Sequence, residues 1–161
     1  MGAPDESTGE RRAPRSGSLT LVQILDIFDR DRDRHMIAGP ASDEELARLE
    51  AALGRGLPPP FRALLGRFGG GLFYNGHEIF GPVRAMVHDI ELVPDLLSVR
   101  QRLLDGGELP EGFVPFHRAR GVIHLMDVRD ELGTGQIVPL SQSAPHPDLP
   151  SFLETVVLPR R

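Results

Sequence analysis

The stretch of sequence that decides the fold is SDEELARLEAALGRGLPPPFRALLGRFGGGLFYNGHEIFGP, residues 42–82. It opens with Ser42 and, three residues later, Glu45. This is the spacing of a capping box, in which each side chain accepts a hydrogen bond from the other's backbone N–H group. Leucines at positions 46, 49 and 53 then line one face, and Gly54 or Gly56 ends the segment. These signals predict a short amphipathic helix that begins after Ser42.

A second short helix is predicted after the proline run at residues 58–60. Leu57 precedes a proline, which favours an extended backbone there. Proline is tolerated in the first turn of a helix but not farther along it. Between Phe61 and Phe68 four apolar residues recur at i, i+3, i+4 and i+7, which is one face of a helix. The glycines at residues 69–71 end it, because glycine readily takes the left-handed conformation of a helix end.

Strand signals follow these glycines. Residues 72–80 predict a hairpin, with Asn75-Gly76 supplying the positive φ angles of a type I′ turn. Elsewhere the pattern predicts helices near residues 19–28, 94–105 and 148–158, and strands near residues 83–87, 113–116, 122–128 and 136–140. This order predicts a single α+β domain, in which a mixed, mostly antiparallel sheet of about five or six strands packs with about four or five helices.

The composition fits one domain of ordinary size. The chain has 161 residues, of which 40% are hydrophobic, enough for one buried core. It has no cysteine, which rules out disulfides and thiolate metal sites. No apolar run is long enough to span a membrane, and the first residues lack a signal peptide's apolar stretch, so we expect a cytoplasmic protein. Residues 1–17 are rich in Gly, Pro, Ser and paired charges, which predicts a disordered tail before a domain at residues 18–161.

The charge balance favours a protein partner. The formal net charge is −5, and the first 17 residues contribute three acids and three bases, so the acidic excess lies on the predicted domain. Binding to a phosphate backbone needs a basic surface, so we expect no nucleic acid partner. An acidic surface suits a basic protein better.

A longer pattern connects residues 42–82 with later parts of the chain. Its opening is carried by Ser42–Leu46, Leu49-Glu50, Leu57–Phe61, Leu64-Leu65, Phe68–Gly71 and Ile79–Gly81. Its later part is carried by Leu109-Pro110, Phe113–Phe116, Gly121–Asp127 and Phe152-Leu153. Together, over residues 42–158, these segments resemble the SUKH superfamily of bacterial immunity proteins and fungal cell-wall-synthesis regulators of the Smi/Knr type. Two positions depart from the pattern: Gly69 stands where Asn is usual, and residues 122–124 replace a frequent aromatic pair.

The resemblance implies a small α+β binding module without catalytic activity. The first hypothesis is an immunity protein that binds a cognate bacterial toxin, often a nuclease or another secreted effector, and blocks it by occlusion. The alternative is a regulatory scaffold or adaptor without a toxin partner, as the fungal relatives suggest. A third is an enzyme or small-ligand binder that uses a pocket between sheet and helices. We expect a monomer or a weak dimer.

The residues that carry the opening pattern are interpreted as structural, because they begin and end helices and so define a scaffold rather than a reaction. They are Ser42, Glu45, Leu57, Pro58, Phe61, Gly69, Gly70 and Gly81.

A calcium loop is considered and rejected. Asp29, Asp31 and Asp33 match the first half of an EF-hand loop, in which alternate carboxylates converge on the ion. Arg34 and Pro40, however, occupy the positions that require Gly and a bidentate Glu. A solvated loop is therefore the favoured interpretation.

The six histidines are the remaining candidates for metal ligands. His117 and His124, with Asp127 nearby, form the best candidate group, but no HxxxH or HExxH spacing exists, so a surface or half-buried position is favoured for them. The sequence also has no GxGxxG, P-loop or GxSxG motif. We therefore predict that the protein is not an enzyme and has no catalytic residue, bound metal or cofactor.

Function is then expected on the surface around the hairpin and the last strands. The predicted partner-binding residues are Tyr74, His77, Glu78, Asp127, Asp130 and Glu131. In this hypothesis the acidic side chains steer a basic secreted toxin and Tyr74 anchors it. The alternative is an ordinary solvated surface, since exposed charges are the norm.

Overall fold

The computed structural model describes residues 18–129, 136–139 and 146–159. The helices are α1 (Leu21–Arg30), α2 (Asp43–Leu53), α3 (Pro59–Phe68), α4 (Leu96–Asp105) and α5 (Leu149–Phe152). A 3₁₀ turn at Arg32–Arg34 follows α1, and a π-helical turn at Leu153–Val157 continues α5. The strands are β1 (Met36–Ile37), β2 (Gly71–Phe73), β3 (His77–Ile79), β4 (Ala85–Val87), β5 (Ile90–Val93), β6 (Phe113–Ala119), β7 (Val122–Asp127) and β8 (Ile137–Pro139). The tail at residues 1–17, for which disorder is predicted, lies outside the described residues.

Six of the strands form one antiparallel sheet in the order β1-β2-β3-β6-β7-β8. The other two, β4 and β5, pair as a separate antiparallel ribbon. The predicted α+β class with a mostly antiparallel sheet is confirmed. The sheet brings β3, β6 and β7 side by side, although β3 and β6 are far apart in the sequence.

Aliphatic side chains make up most of the buried core, but its largest buried side chains are phenylalanines. Seven of the eight are fully buried, and burying such a side chain contributes about 1.5–3 kcal/mol. Phe116 of β6 shows how the layers meet, since its ring contacts Phe61 of α3 and Phe152 of α5 at centroid distances of 5.8 and 5.1 Å. Helix α5 therefore covers the middle of the sheet.

The capping box begins α2. The Glu45 backbone N–H donates to Ser42 Oγ at 3.0 Å, and the Ser42 N–H donates to Glu45 Oε1 at 2.9 Å. At the end of α3, Gly69 has a φ of 77°. A Cβ atom added there would lie 1.8 Å from the carbonyl oxygen of Gly39. Only glycine fits this meeting of two backbones.

The hairpin between β2 and β3 differs by one residue from the prediction. Phe73 pairs with His77, and the left-handed residues are Tyr74 (φ 51°) and Asn75 (φ 59°), rather than Asn75 and Gly76. The Gly76 N–H closes the turn on the Phe73 carbonyl at 3.2 Å. Asn tolerates this conformation but Tyr does so rarely, so other contacts of Tyr74 must hold the turn in this register.

Two strands were not predicted. Strand β1 has two residues, too few to show an alternation of apolar and polar side chains. In β5 the first apolar residue, Ile90, is 64% exposed, so the apolar residues do not mark one buried face.

Candidate functional site

The tyrosine proposed as an anchor, Tyr74, is tied to its own domain. Its hydroxyl donates to Asp31 Oδ2 at 2.7 Å, and its backbone N–H donates to His35 Nδ1 at 3.2 Å. The Arg34 guanidinium lies 4.7 Å from the centre of its ring. The pKa of Tyr74 is raised, first by burial and then by the hydrogen bond to the Asp31 carboxylate. These contacts explain how Tyr74 is held in a left-handed conformation.

The acidic side chains predicted to meet a partner have partners within the chain. Glu78 accepts two hydrogen bonds from Arg118, at 2.9 and 2.6 Å. Asp127 accepts two from the Arg129 guanidinium, at 3.1 and 3.0 Å, and this pairing lowers the pKa of Asp127. The sheet register sets Glu78 opposite Arg118 and Asp127 opposite Phe113, so the two acids lie at opposite ends of β6.

Asp130 and Glu131, the other two predicted partner-binding acids, lie outside the described residues. The structure therefore does not test the predicted acidic edge of Asp127, Asp130 and Glu131, and a role for these acids in binding stays a prediction.

His77 leads to a different group of residues. Its Nδ1 atom lies 3.0 Å from Nε2 of His117, and Nδ1 of His117 lies 3.1 Å from Nδ1 of His124. The sheet register explains this row. His117 of β6 pairs with His124 of β7 on one side and with Ile79 of β3 on the other. His77 lies two residues before Ile79, so its side chain is on the same face of β3. We call His77, His117 and His124 the imidazole chain.

The prediction of a surface or half-buried position is wrong for His117, which is 0% exposed. It is covered by α5, because the Phe152 ring stands edge-on against its imidazole at a centroid distance of 4.9 Å. The same ring contacts His124 at 4.7 Å and His146 at 5.2 Å. Phe152 therefore holds together histidines from three separate segments of the chain.

The environment of these imidazoles disfavours their charged forms. Burial, followed by the neighbouring His124 and His77, lowers the pKa of His117 to about 2. Burial, followed by His146 and His77, lowers the pKa of His124 to about 4. The pKa values of His77 and His146 are lowered as well, in both cases chiefly by burial. All four imidazoles are therefore neutral near pH 7.

A neutral imidazole has one donor nitrogen and one acceptor nitrogen, so the imidazole chain has two self-consistent arrangements. In the first, His117 donates from Nε2 to His77 and accepts at Nδ1 from His124. In the second, both bonds reverse, with His77 donating to His117 and His117 donating to His124. Both satisfy the buried ring of His117, as a buried polar group requires.

The imidazole chain forms part of the wall of an open groove of about 790 Å³. We call it the histidine groove. Its polar and aromatic lining includes Arg34, Tyr74, His77, Arg120, His124 and His146, and its apolar lining includes Val122, Pro139 and Val156. Of the described residues that line it, none is Asp or Glu. A chain with a net charge of −5 thus has a groove whose charged lining, among the described residues, is basic.

A smaller cavity of about 340 Å³ lies between the ends of α2 and α4 and the start of β6. Its lining includes Leu53, Leu104 and Phe113. Of the arginines at its edge, Arg55 donates to the carbonyl of Val128 at 3.2 Å. It is the second candidate for a ligand pocket.

Within the ranges that the structure describes, no group of three or more His, Asp or Glu side chains is arranged to hold a metal ion. The rejected calcium loop illustrates this. Asp29 is bound by Arg32 and Arg67, and the Asp31 carboxylate accepts the Tyr74 hydroxyl hydrogen. No helix among the described residues is both long and apolar enough to cross a bilayer.

Comparison with known proteins identifies the family. The family model of the SMI1 / KNR4 family (SUKH-1) matches residues 40–154, well over half of the chain. The chain therefore belongs to this family, and the resemblance inferred from residues 42–158 is confirmed. No curated protein matches the chain.

Three lining residues of the groove were missed as functional candidates: Arg34, Arg120 and His146. They are far apart in the sequence and form no short motif with the other histidines. One signal was available. Arg120-Gly121 forms the turn between β6 and β7, with φ angles of 52° and 77°, and a two-residue turn at this point sets His117 opposite His124.

Proposed function

We propose that this chain is a non-catalytic protein-binding module, and in particular an immunity protein that neutralises a bacterial toxin by binding it directly. The observation that carries this proposal is the histidine groove. Its volume of about 790 Å³ lies in the range of concave ligand sites, which gives room for a segment of a partner, and its imidazoles offer neutral hydrogen-bonding groups to that partner.

The contacts of these histidines favour binding over catalysis. A catalytic histidine is normally hydrogen-bonded to the nucleophile that it activates or to the carboxylate that orients it. Within the described part of the chain, no histidine is hydrogen-bonded to a Ser, Thr, Asp or Glu side chain. His77 and His124 each bond to His117 instead, so the imidazole chain offers groups for recognition without a hydrogen-bonded nucleophile among the described residues.

Family membership supports a binding role as well, since this family includes immunity proteins and regulators. It also favours the second candidate, a regulatory adaptor without a toxin partner. The gene neighbourhood discriminates the two: a toxin gene beside this one favours the immunity protein, and its absence favours the adaptor. We further propose a cytoplasmic location, because a chain without cysteine needs no oxidising compartment.

The direct test is co-expression of the full chain with the toxin encoded beside it in a toxin-sensitive bacterium. We expect the cells to survive and the two proteins to co-purify as a complex whose affinity is measured by titration calorimetry. If the chain neither protects cells nor binds the toxin, the immunity proposal is wrong. Capture of a different cellular protein by the same chain would then support the adaptor.

A further inference from the structure

We propose that the histidine groove docks a carboxylate-bearing peptide segment of the partner protein, with Arg34 and Arg120 binding the carboxylates and the imidazole chain binding the peptide backbone. The inference rests on the proposed function in one respect, since it requires a protein partner. It goes beyond that function by naming the face that binds and the chemistry that it recognises. The binding surface proposed here is basic, whereas the composition predicted an acidic one.

The charges of the groove carry the first step. Arg34 lies at the end of the 3₁₀ turn and Arg120 in the turn between β6 and β7, so two separate elements present a guanidinium to one groove. Both are exposed, and neither forms a salt bridge with any described residue. Arg34 lies over the Tyr74 ring and its charge acts on the Asp31 carboxylate, but the guanidinium of neither arginine is hydrogen-bonded to a carboxylate of the described residues. Such a guanidinium is suited to bind a carboxylate from outside, because its planar fork matches carboxylate geometry.

Other arginines of the chain differ in this respect. Arg118, for example, is paired with Glu78 of the neighbouring strand, and Arg129 is paired with Asp127, two residues before it. Although the Asp31 carboxylate is bound to the hydroxyl of Tyr74, no described Asp or Glu lines the groove itself, so the charged lining that an incoming carboxylate meets is positive. The imidazoles add no positive charge near pH 7, since the pKa values of His77, His124 and His146 are lowered. Arg34 and Arg120 are therefore the charges that select the ligand.

The imidazole chain offers two ring nitrogens to a ligand. The hydrogen bonds within it use Nδ1 of His77 and Nδ1 of His124, which leaves Nε2 of each ring without a hydrogen bond to a described residue. In either arrangement of the chain, one of these two nitrogens is a donor and the other an acceptor. A peptide backbone offers the complementary pair, an N–H donor and a carbonyl acceptor.

The size and apolar parts of the groove favour a peptide over a small anion. An inorganic phosphate would occupy little of 790 Å³ and would leave the apolar lining at Val122, Pro139 and Val156 uncovered. A nucleic acid strand is disfavoured because two arginines are the cationic residues of the described lining, too few to match a continuous line of phosphates. A short acidic segment presents few charges together with apolar and backbone groups.

The chain has a built-in probe for the test. It contains one tyrosine and no tryptophan, and Tyr74 lines the groove, so intrinsic tyrosine fluorescence reports on this site alone. The full chain is titrated with a tetraglutamate peptide whose termini are blocked, and affinity is checked by calorimetry. We expect saturable binding that weakens with added salt, and no binding of the matching tetraglutamine peptide.

Two substitutions remove the charges selectively. Arg120→Asn suits the left-handed φ of 52° at that position, because Asn tolerates this conformation, and Arg34→Gln removes the other guanidinium. Each substitution is expected to weaken tetraglutamate binding by about tenfold, the usual consequence of losing hydrogen bonds to a charged group. Arg102→Gln is the matched control, since Arg102 is exposed on α4 and lies outside the groove; its affinity should equal that of the wild type.

Equal or absent binding of the two peptides would overturn the inference, and so would unchanged affinity in the Arg34→Gln/Arg120→Asn double variant. Equal competition by inorganic phosphate or by a thymidine oligonucleotide would overturn the assignment to a peptide. The toxin assay separates this inference from the proposed function. If the double variant still neutralises toxin and no peptide binds, the inference is wrong and the function stands. If the peptide binds but no toxin is neutralised, the immunity function is wrong and the peptide site stands.

Discussion

His35 and His117 are both imidazoles whose pKa is lowered chiefly by burial, but the groups around them differ. Nε2 of His35 lies 3.2 Å from the carbonyl oxygen of Phe28, and its Nδ1 accepts the Tyr74 backbone N–H at 3.2 Å. A carbonyl can only accept and an N–H can only donate, so one tautomer is fixed. The ring partners of His117 are imidazoles, and either tautomer satisfies them.

This difference separates a structural histidine from one that is available for function. The backbone partners of His35 cannot titrate, so its ring acts as a fixed brace between the end of α1 and the β2–β3 hairpin. The partners of His117 can exchange the roles of donor and acceptor, so a contact made at His77 sets which nitrogen of His124 carries hydrogen. The half-buried imidazole of His35 and the fully buried imidazole of His117 therefore have different consequences.

The largest effect expected from this comparison is a loss of stability on acidification. The folded pKa of His117 is about 2 against an ordinary value of 6.5, so the unfolded chain takes up the proton first. The stabilising contribution is complete above the unfolded value and is lost as the pH falls below it. At about pH 4.5, two units below that value, His117 alone lowers the free energy of unfolding by about 2.7 kcal/mol.

Urea unfolding between about pH 7.5 and pH 4.5 measures this loss, within a range where carboxylates stay largely ionised. A free energy of unfolding that is constant over the range would contradict it.

The second prediction removes the middle of the imidazole chain. His117→Gln leaves ring nitrogens of the half-buried His77 and His124 without their imidazole partner, which should lower the free energy of unfolding by about 1–3 kcal/mol near pH 7.5. Because Gln does not titrate, the difference from the wild type should shrink as the pH falls. Urea unfolding at each pH is the measurement.

A matched control is His88→Asn, because His88 is exposed in the β4–β5 turn with a φ of 50° that Asn tolerates. The control should keep the acid sensitivity of the wild type. An equally steep loss of stability with pH in His117→Gln would show that other groups cause it.

The third prediction concerns the fixed histidine. His35→Gln should lower the free energy of unfolding by about 1–3 kcal/mol, the sum of two hydrogen bonds of ordinary strength. Ring nitrogen NMR of the wild type should show His35 in one tautomer, with hydrogen on Nε2, and an average of two tautomers at His117. If His117 also shows a single tautomer in the free protein, the contrast between the two histidines does not hold.

The same contrast explains which features could be predicted from the sequence. The capping box of Ser42 and Glu45 joins residues three apart, so the local pattern contains it entirely. The imidazole chain joins His77 to His117 across 40 residues of sequence, and only strand pairing brings them together. The left-handed Tyr74 was also missed, because local preference opposes it and the contacts that hold it come from Asp31 and His35.

The smallest effect is expected from Tyr74→Phe, which keeps the ring but removes the hydrogen bond to Asp31. The loss should be about 1 kcal/mol in the free energy of unfolding, because the His35 bond to the Tyr74 backbone N–H remains and still holds the turn. Measured by urea unfolding near pH 7, this variant should therefore lose less stability than His35→Gln. The ring nitrogen spectrum of His35 should be unchanged in it. A loss equal to that of His35→Gln, together with a changed tautomer at His35, would mean that the hydroxyl and not the imidazole braces the hairpin. His35 would then lie beside the turn without stabilising it.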